Sequence, residues 1–226
     1  MAVLGAGVLA TQVSAQNPIT LKDQKDKVSY SIGLNIGGTF KQQSMDLNLD
    51  ALLAGIKDVL ADAKPLLTDD EVKATMMAFQ KEMMAKQGEK AQKNKLEGDT
   101  FLAANKKKEG VKTLPSGLQY QVIKDGKGKK PKATDTVKTH YRGTLIDGKE
   151  FDSSEKNGGP VTFPVSDVIR GWTEALQLMA VGSKWKLFIP SDLAYGERGQ
   201  GPIPANSALV FDIELVAIEE EPKVQK

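Results

Sequence analysis

The residues best suited to form a small-ligand site lie in the run from Phe151 to Trp172. This run contains three large aromatic residues and several branched aliphatic ones, and Asp152 supplies a carboxylate beside the first ring. Ligand pockets are mostly apolar and carry a few polar groups that orient the ligand, so this composition favours an apolar pocket in which Asp152 is the polar group. The two serines that follow Asp152 can form local turns with neighbouring backbone amides.

An amphipathic helix is predicted at the end of this run, with Ser166 as its N-cap. Apolar residues recur there at helical spacing: Val168, Ile169, Trp172, Leu176 and Met179. Trp172 is therefore expected to point inwards. Apolar helix faces are usually core, so this pattern alone is explained as well by packing as by a site.

The composition excludes several kinds of chemistry. The chain of 226 residues has no cysteine, which rules out disulfides, thiolate metal ligands and a cysteine nucleophile. With one histidine, His140, a histidine metal cluster or a serine triad is hard to assemble. The 31 basic and 29 acidic residues leave a net charge of +2, whereas a nucleic-acid-binding protein normally has a clear basic excess. We therefore predict no cofactor, no metal and no nucleic-acid partner.

The first 18 residues resemble a truncated export signal. They are rich in small apolar residues, and Val13-Ser14-Ala15 is similar to a secretory cleavage site before Gln16. No basic residue precedes Lys22, although a complete signal begins with one, and a disordered tail is the alternative interpretation. The segment is too short and too weakly apolar to span a bilayer. Since nothing else resembles a membrane span, we expect a soluble, exported protein.

Residues 19–67 are predicted to form a helical dimerisation region. Two helical pieces lie between Asp26 and Leu60, and each carries an apolar stripe. A third helix begins at Thr68, whose spacing to Glu71 matches a capping box, and a long spacer helix is expected over residues 68–112. Because these pieces are too few to bury their own stripes, a second copy of the chain is the favoured partner. A self-sufficient small domain is the alternative.

Residues 113–220 are predicted to form an α+β domain. Alternating residues mark short strands, for example around Tyr141 and between Lys184 and Ile189, and Asp147-Gly148 is a hairpin turn. Wrapped around the single short helix, these strands make an antiparallel β half-barrel. The Gly/Lys segment over residues 125–132 lacks the Gly-Lys-Ser/Thr ending of a phosphate loop, so we interpret it as a hairpin connection. Residues 221–226 are expected to form a loose tail.

Several ordered motifs resemble those of FKBP-type peptidyl-prolyl cis-trans isomerases, the macrolide-binding class. They are HYRGTLIDGKEFDSS, VIRGWTEAL, AYG and LVFDIEL, within about residues 114–219. The segments DKVSYSIGLNIGGTFKQQ and KPLLTDDE resemble the N-terminal dimerisation region of the bacterial Mip and FkpA subgroup. The resemblance implies rotation about Xaa-Pro bonds in exported, proline-containing client proteins. It also implies macrolide inhibition, a homodimer and a location in the periplasm or on the outer cell surface.

The resemblance further implies the site residues. Four are expected to take part in catalysis: Asp152, Tyr195, Trp172 and Phe211. Six are expected to bind the substrate: Tyr141, Phe151, Phe163, Val168, Ile169 and Ile203. Trp172 would be the floor of the pocket, and the Ile169 N–H would receive a substrate carbonyl. Phe163 is expected to fill a wall where this chain has Val161 instead of an aromatic residue, and Gln200 stands where some relatives carry histidine.

A dry apolar pocket of this kind can accelerate rotation about an Xaa-Pro bond. The barrier of ~18–20 kcal/mol comes from amide resonance, and the twisted amide is less polar than the planar one. Loss of solvent therefore favours the twisted form, and each ~1.4 kcal/mol gained is about tenfold in rate. No proton transfer is required, so Asp152 is expected to act as an electrostatic and positioning group, while His140 faces away from the pocket. A holding chaperone that grips proline-containing chains with little turnover is the rival function, and both activities can coexist.

Overall fold

The computed structural model describes residues 19–219, in two compact units that divide after Val72. The predicted leader and the predicted loose tail lie outside these residues. Three helices come first: α1 (Gln24–Gln42), α2 (Leu49–Leu60) and α3 (Asp69–Asn105). Within residues 19–219, none of the helices combines the length and the apolar character needed to cross a bilayer.

Polar side chains begin each of these helices. Asn48 is the N-cap of α2, and its Oδ1 accepts hydrogen bonds from the backbone N–H groups of Asp50 and Ala51 in the first turn. Before α3, the Glu71 carboxylate accepts from the Thr68 N–H at 2.8 Å, and Thr68 Oγ1 accepts from the Glu71 N–H at 3.3 Å. The predicted capping box is confirmed.

Helix α3 contains 37 residues and continues through Gly88 and Gly98, as the sequence predicts. It ends at Asn105 and not near residue 112, so the lysines 106–108 lie in the following turn and not on a helix face. Its C-terminal part packs on the sheet, where Leu102 forms an apolar cluster with Phe188 and Ala208.

A single antiparallel sheet is the main element of residues 111–219. Its strands are β1 (Val111–Thr113), β2 (Gln119–Lys124), β3 (Thr136–Leu145), β4 (Glu150–Ser153), β5 (Val161–Pro164), β6 (Lys184–Ile189) and β7 (Leu209–Glu219). The strand order is β1-β2-β6-β7-β3-β4, and β5 also pairs with β3. Helix α4 (Arg170–Leu176) packs on one face of this sheet, with Ala175 and Leu176 fully buried among strand residues. The predicted α+β half-barrel around one short helix is confirmed.

Helix α4 begins later than the sequence predicts. Its N-cap is Ile169, whereas Ser166 lies in a 3₁₀ helix over Val165–Asp167 and donates its hydroxyl to Asp167 Oδ1. The prediction of Ser166 as the N-cap is wrong, because the backbone is extended at Val168 and its ψ of 148° at Ile169 is not helical. These two residues therefore precede the helix, and both pack against the main apolar core.

Candidate active site

Trp172 lies at the centre of a cluster of aromatic rings. Its ring centroid is 5.3 Å from that of Tyr141, 6.0 Å from that of Phe163 and 5.2 Å from that of Phe211. The interplanar angles are 81°, 84° and 82°, the edge-to-face geometry that aromatic pairs favour. We call these four residues the aromatic cup. Phe151 extends one wall, since its ring meets Phe211 at 5.5 Å and 82°.

Elements far apart in the chain bring these rings together. Tyr141 is on β3, Phe151 on β4, Phe163 on β5, Trp172 on α4 and Phe211 on β7. Gly143 on β3 lies opposite Phe211 in register. A Cβ atom at Gly143 would lie 2.7 Å from ring atoms of both Phe151 and Phe211, so a residue without a side chain is needed for the two rings to meet over the strand.

A polar pair stands beside the rings. The Tyr141 hydroxyl donates a hydrogen bond to Asp152 Oδ2 at 2.7 Å, and both residues are half-buried. Burial, and then the hydrogen bond and charge of Asp152, raise the pKa of Tyr141 well above its ordinary range. The pKa of Tyr195 is raised by burial and by the charge of Asp152. Both tyrosines therefore remain protonated donors at neutral pH.

Asn157 is a partner of this pair that the sequence does not reveal. Its Nδ2 donates to the Tyr141 hydroxyl at 3.3 Å and to the Ser153 carbonyl at 3.2 Å. The Tyr141 oxygen thus accepts one hydrogen bond while it donates another to Asp152. No local pattern identifies Asn157, because its contact depends on how the turn after β4 folds back over β3. Gly143 could have been identified from the sequence, since a glycine inside a strand often marks a place where another group packs closely against the backbone.

An ion-pair network supports the strand that carries Asp152. Glu150 on β4 accepts from Lys156 at 2.9 Å, from Arg142 at 2.7 Å and from the Ser153 hydroxyl at 3.1 Å. The hydrogen bonds from Lys156 and Arg142 lower the pKa of Glu150 to about 2. This network ties the turn after β4 to strand β3.

The remaining predicted site residues lie around the same core. Val168 and Ile169 are half-buried just before α4, and within residues 19–219 the Ile169 N–H donates to no protein group. Ile203 is 6% exposed and Tyr195 is half-buried, both in the loop that leads to β7. All ten predicted site residues except Asp152 belong to the main apolar core or pack against it, and Asp152 is joined to that core through Tyr141.

The floor of the aromatic cup is largely covered. Trp172 is 4% exposed, and its indole nitrogen is buried without a hydrogen-bond partner in the described part of the chain. Two cavities lie elsewhere: one of about 850 Å³ is lined by residues 19–34, and one of about 330 Å³ lies beside the stacked pair Tyr120 and Trp185. The half-buried side chains of Tyr141 and Phe163, and not the indole, therefore present most of the cup's accessible surface.

His140 lies outside this cluster. It is exposed, and its Nδ1 is 3.3 Å from Ser154 Oγ, on the face of β3 opposite Tyr141. The Ser154 hydroxyl also accepts from the Tyr141 N–H at 3.1 Å, so it fixes the turn that follows Asp152.

Comparison with known proteins assigns the fold and this region to one family. Residues 127–216 match the family of FKBP-type peptidyl-prolyl cis-trans isomerases. Residues 25–122 match the domain that is amino-terminal to FKBP-type peptidyl-prolyl isomerases. The motifs that carry the predicted resemblance lie within these two matched ranges.

Individual relatives cover nearly the whole chain. The outer membrane protein MIP of Legionella longbeachae is 49% identical over 96% of this chain and 95% of its own length. The FKBP-type peptidyl-prolyl cis-trans isomerase FkpA of Aeromonas hydrophila is 50% identical over 88% of this chain and 78% of its own length. The crystal structure of FkpA from Escherichia coli is 41% identical, covers 90% of this chain and 100% of its own, and has a TM-score of 0.66.

The fold and these matches define a peptidyl-prolyl cis-trans isomerase. The chain belongs to the FKBP-type family of these enzymes and matches relatives of the FkpA and Mip kind over most of its length. It therefore accelerates the interconversion of cis and trans Xaa-Pro bonds, as the sequence predicts.

Proposed function

We propose that the aromatic cup is where this enzyme turns the Xaa-Pro bond. The observation that supports this most directly is the set of three rings standing edge-on around Trp172, beside the hydrogen-bonded pair of Tyr141 and Asp152. An apolar surface with a few fixed polar atoms suits a proline ring and its flanking carbonyls.

The chemistry that such a cup supplies is solvent exclusion. Rotation must break amide resonance, which costs ~18–20 kcal/mol, and water stabilises the polar planar form. Against the ring edges the amide loses that water, so the planar ground state is destabilised relative to the twisted transition state. The Ile169 N–H, which donates to no group within residues 19–219, is available to a carbonyl of the substrate, which would hold one side of the bond while the other turns.

The polar residues act without transferring a proton. Tyr141 holds Asp152 through a 2.7 Å hydrogen bond, and Tyr195 lies within the electrostatic reach of the same carboxylate. Since the pKa values of both tyrosines are raised, neither can act as a base near neutral pH. Asp152 then positions the substrate and stabilises the changing amide dipole.

Replacement of the polar residues tests this assignment. Tyr195→Phe and Asp152→Leu are expected to lower kcat/KM for an Xaa-Pro peptide by about tenfold, because one hydrogen bond contributes about 1 kcal/mol and ~1.4 kcal/mol is tenfold in rate. Tyr120→Phe is the matched control, because Tyr120 stacks on Trp185 outside the cup. Rates that equal the control in both variants would remove Asp152 and Tyr195 from the site.

The covered indole needs a separate test. The chain has two tryptophans, so Trp185→Phe leaves Trp172 as the only indole fluorophore. Titration of this variant with a macrolide inhibitor is expected to give a saturable change in fluorescence as the ligand reaches the floor of the cup. A response that appears in Trp172→Phe but not in Trp185→Phe would place the binding site elsewhere.

We propose that the N-terminal unit joins two copies of the chain. Helices α1 and α2 bury no residue, and their apolar side chains are exposed, among them Val28, Ile32, Leu53 and Ile56. A stripe of this kind is stable when a second apolar surface covers it. Sedimentation of the full chain is expected to give twice its mass, and Ile32→Asp to give a monomer. A monomeric wild-type chain would contradict the proposal.

A chaperone activity in an exported setting is the second proposed function. A dimer formed through α1 and α2 would present two cups to one unfolded, proline-containing client, and this bivalency would strengthen the hold on the client without turnover. The name of the Legionella relative, an outer membrane protein, supports export to the periplasm or the outer cell surface. If Asp152→Leu still suppresses client aggregation at the wild-type level, the chaperone activity does not depend on isomerisation. If the variant loses both activities together, the suppression of aggregation is a result of catalysis alone.

A further inference from the structure

Helix α3 contacts the isomerase fold through one face of its C-terminal part. That face carries Asn94, Gly98, Leu102 and Asn105, spaced by four, four and three residues. Asn105 Nδ2 donates to Gln119 Oε1 at 3.0 Å, and Gln119 Nε2 donates back to the Leu102 carbonyl at 2.9 Å. Since these polar groups are buried, the hydrogen bonds hold the end of the helix firmly on strand β2.

The other two residues of this face reach the loop over residues 195–207. Asn94 Nδ2 donates to the Ala205 carbonyl at 2.8 Å across 111 positions of the chain. At Gly98 a Cβ atom would lie 3.0 Å from the Cβ of Ala208, where the loop enters β7. The glycine therefore allows the helix to lie directly against the end of the loop.

This loop has little regular structure of its own. Its ends are joined by a hydrogen bond of 2.8 Å from the Asn206 N–H to the Gly196 carbonyl, and Gln200 and Ile203 exchange two bonds of 2.9 Å. Asn206 has a φ of 57°, an uncommon conformation for a residue with a side chain. A segment with so few backbone bonds depends on neighbouring elements for its position.

Both predicted site residues of the loop depend on that position. Ile203 is 6% exposed and packs in the core that contains Trp172, and Tyr195 packs against the same core from the other end of the loop. Ala205, the acceptor of the Asn94 hydrogen bond, is two residues from Ile203. A shift of the Ala205 carbonyl would therefore move Ile203 relative to the cup.

We propose that Asn94 is a positioning residue for catalysis: helix α3 holds the 195–207 loop through Asn94 and thereby sets the position of Ile203 and Tyr195 at the aromatic cup. This inference rests on the proposed function of the cup. Its physical basis is that one directed hydrogen bond, backed by the close approach at Gly98, fixes a loop with few bonds of its own. The spacer helix is then part of the enzyme's working structure and not only a connector.

The test is an isosteric change on the full chain. Asn94→Asp keeps the shape but replaces the donor by an oxygen that repels the Ala205 carbonyl, and Asn94→Ala removes the group without adding charge. The control is Gln92→Glu, which adds the same charge at an exposed position of the same helix. The measurements are kcat and KM for an Xaa-Pro peptide, thermal unfolding, and amide hydrogen exchange.

In both Asn94 variants, kcat/KM is expected to fall about threefold to tenfold relative to the control. Exchange of the Asn206 amide is expected to become at least about fivefold faster, while amides of β3 and β7 keep their wild-type rates. Loop exchange at the control rate would overturn the inference, because Asn94 would then not hold the loop. Faster loop exchange with unchanged kcat/KM would overturn it as well.

Ile203→Ala separates this inference from the proposed site. If Ile203→Ala lowers kcat/KM while Asn94→Asp does not, the site assignment stands and the role of Asn94 is refuted. If Ile203→Ala leaves kcat/KM unchanged, the loop does not belong to the site, and the inference falls together with that part of the proposed function.

Discussion

Gly143→Ala is the change that probes the aromatic cup most directly. The added methyl group would lie 2.7 Å from Phe151 and Phe211, far inside van der Waals contact, and Phe211 is itself in edge contact with Trp172. Overpacking of this kind costs about 1–3 kcal/mol. Alanine is favoured over glycine within a strand by roughly 0.5–1 kcal/mol, which offsets part of that cost.

The clash outweighs the backbone gain because two packed rings must move at once. We expect a net loss of about 1–2 kcal/mol in the free energy of unfolding, or roughly 2–8 °C in the thermal midpoint of the isomerase fold. The displaced rings also alter the surface that meets the proline. We therefore expect kcat/KM to fall by at least about tenfold, since small misplacements of a catalytic surface are costly.

Calorimetry and a peptide isomerisation assay measure the two effects on one preparation. Gly88→Ala is the control, because a Cβ atom at Gly88 meets no heavy atom within 4 Å. Adding Phe151→Leu to Gly143→Ala should restore part of the stability, since it removes one of the clashing rings. A stability loss below about 0.5 kcal/mol together with wild-type turnover would refute the reasoning that Gly143 makes room for the cup.

Three further predictions follow from the contacts described above. The folded pKa of Glu150, about 2, lies below its ordinary value of 4.5, so its contribution to stability is present above pH 4.5 and lost as the pH falls towards 2. In Glu150→Gln, the urea midpoint of unfolding should depend less on pH as the pH falls from 4.5 towards 2. An unchanged pH dependence would show that the ion pairs of Glu150 do not contribute to stability. Gly88→Ala should raise the free energy of unfolding by up to about 1 kcal/mol through helix propensity. Gly98→Ala should raise it less or lower it, because the added methyl group would meet Ala208 at the end of the loop. Equal effects of the two changes in thermal unfolding would contradict this contact. Asn105→Ala should cost about 1–3 kcal/mol by leaving the buried Gln119 Oε1 without its donor, and the double variant Asn105→Leu/Gln119→Leu should cost less than the sum of the single changes in urea unfolding.

Local signals predicted much of the helical region correctly. The capping box of Thr68 and Glu71 depends on residues three positions apart, and the sequence therefore contains all that is needed to place it. The start of α4 was predicted wrongly for the opposite reason. Ser166 is a good N-cap by type, but the backbone at Val168 and Ile169 is not helical, and both residues pack against the core before the helix begins.

The candidate site could be predicted only as a set of residues. The order of the motifs pointed to Tyr141, Phe163, Trp172 and Phe211, but not to the edge-on geometry or to an indole that is 4% exposed. Asn157 was missed because its hydrogen bond to Tyr141 joins a turn to a neighbouring strand. Interactions of this kind depend on how a turn packs on a neighbouring strand, which the pattern of a short segment does not specify.

Local patterns specify the alternation of helix and strand, because periodicity and caps are properties of short segments. The family and the activity follow from the resemblance of the ordered motifs to those of FKBP-type isomerases. Which side chains meet depends on tertiary packing. Gly143 makes room for two rings from other strands, and Asn94 reaches a carbonyl 111 residues away. The physical reason is that backbone preferences act over a few residues, whereas the edge contacts of the cup and the attachment of the loop exist only once distant elements have packed.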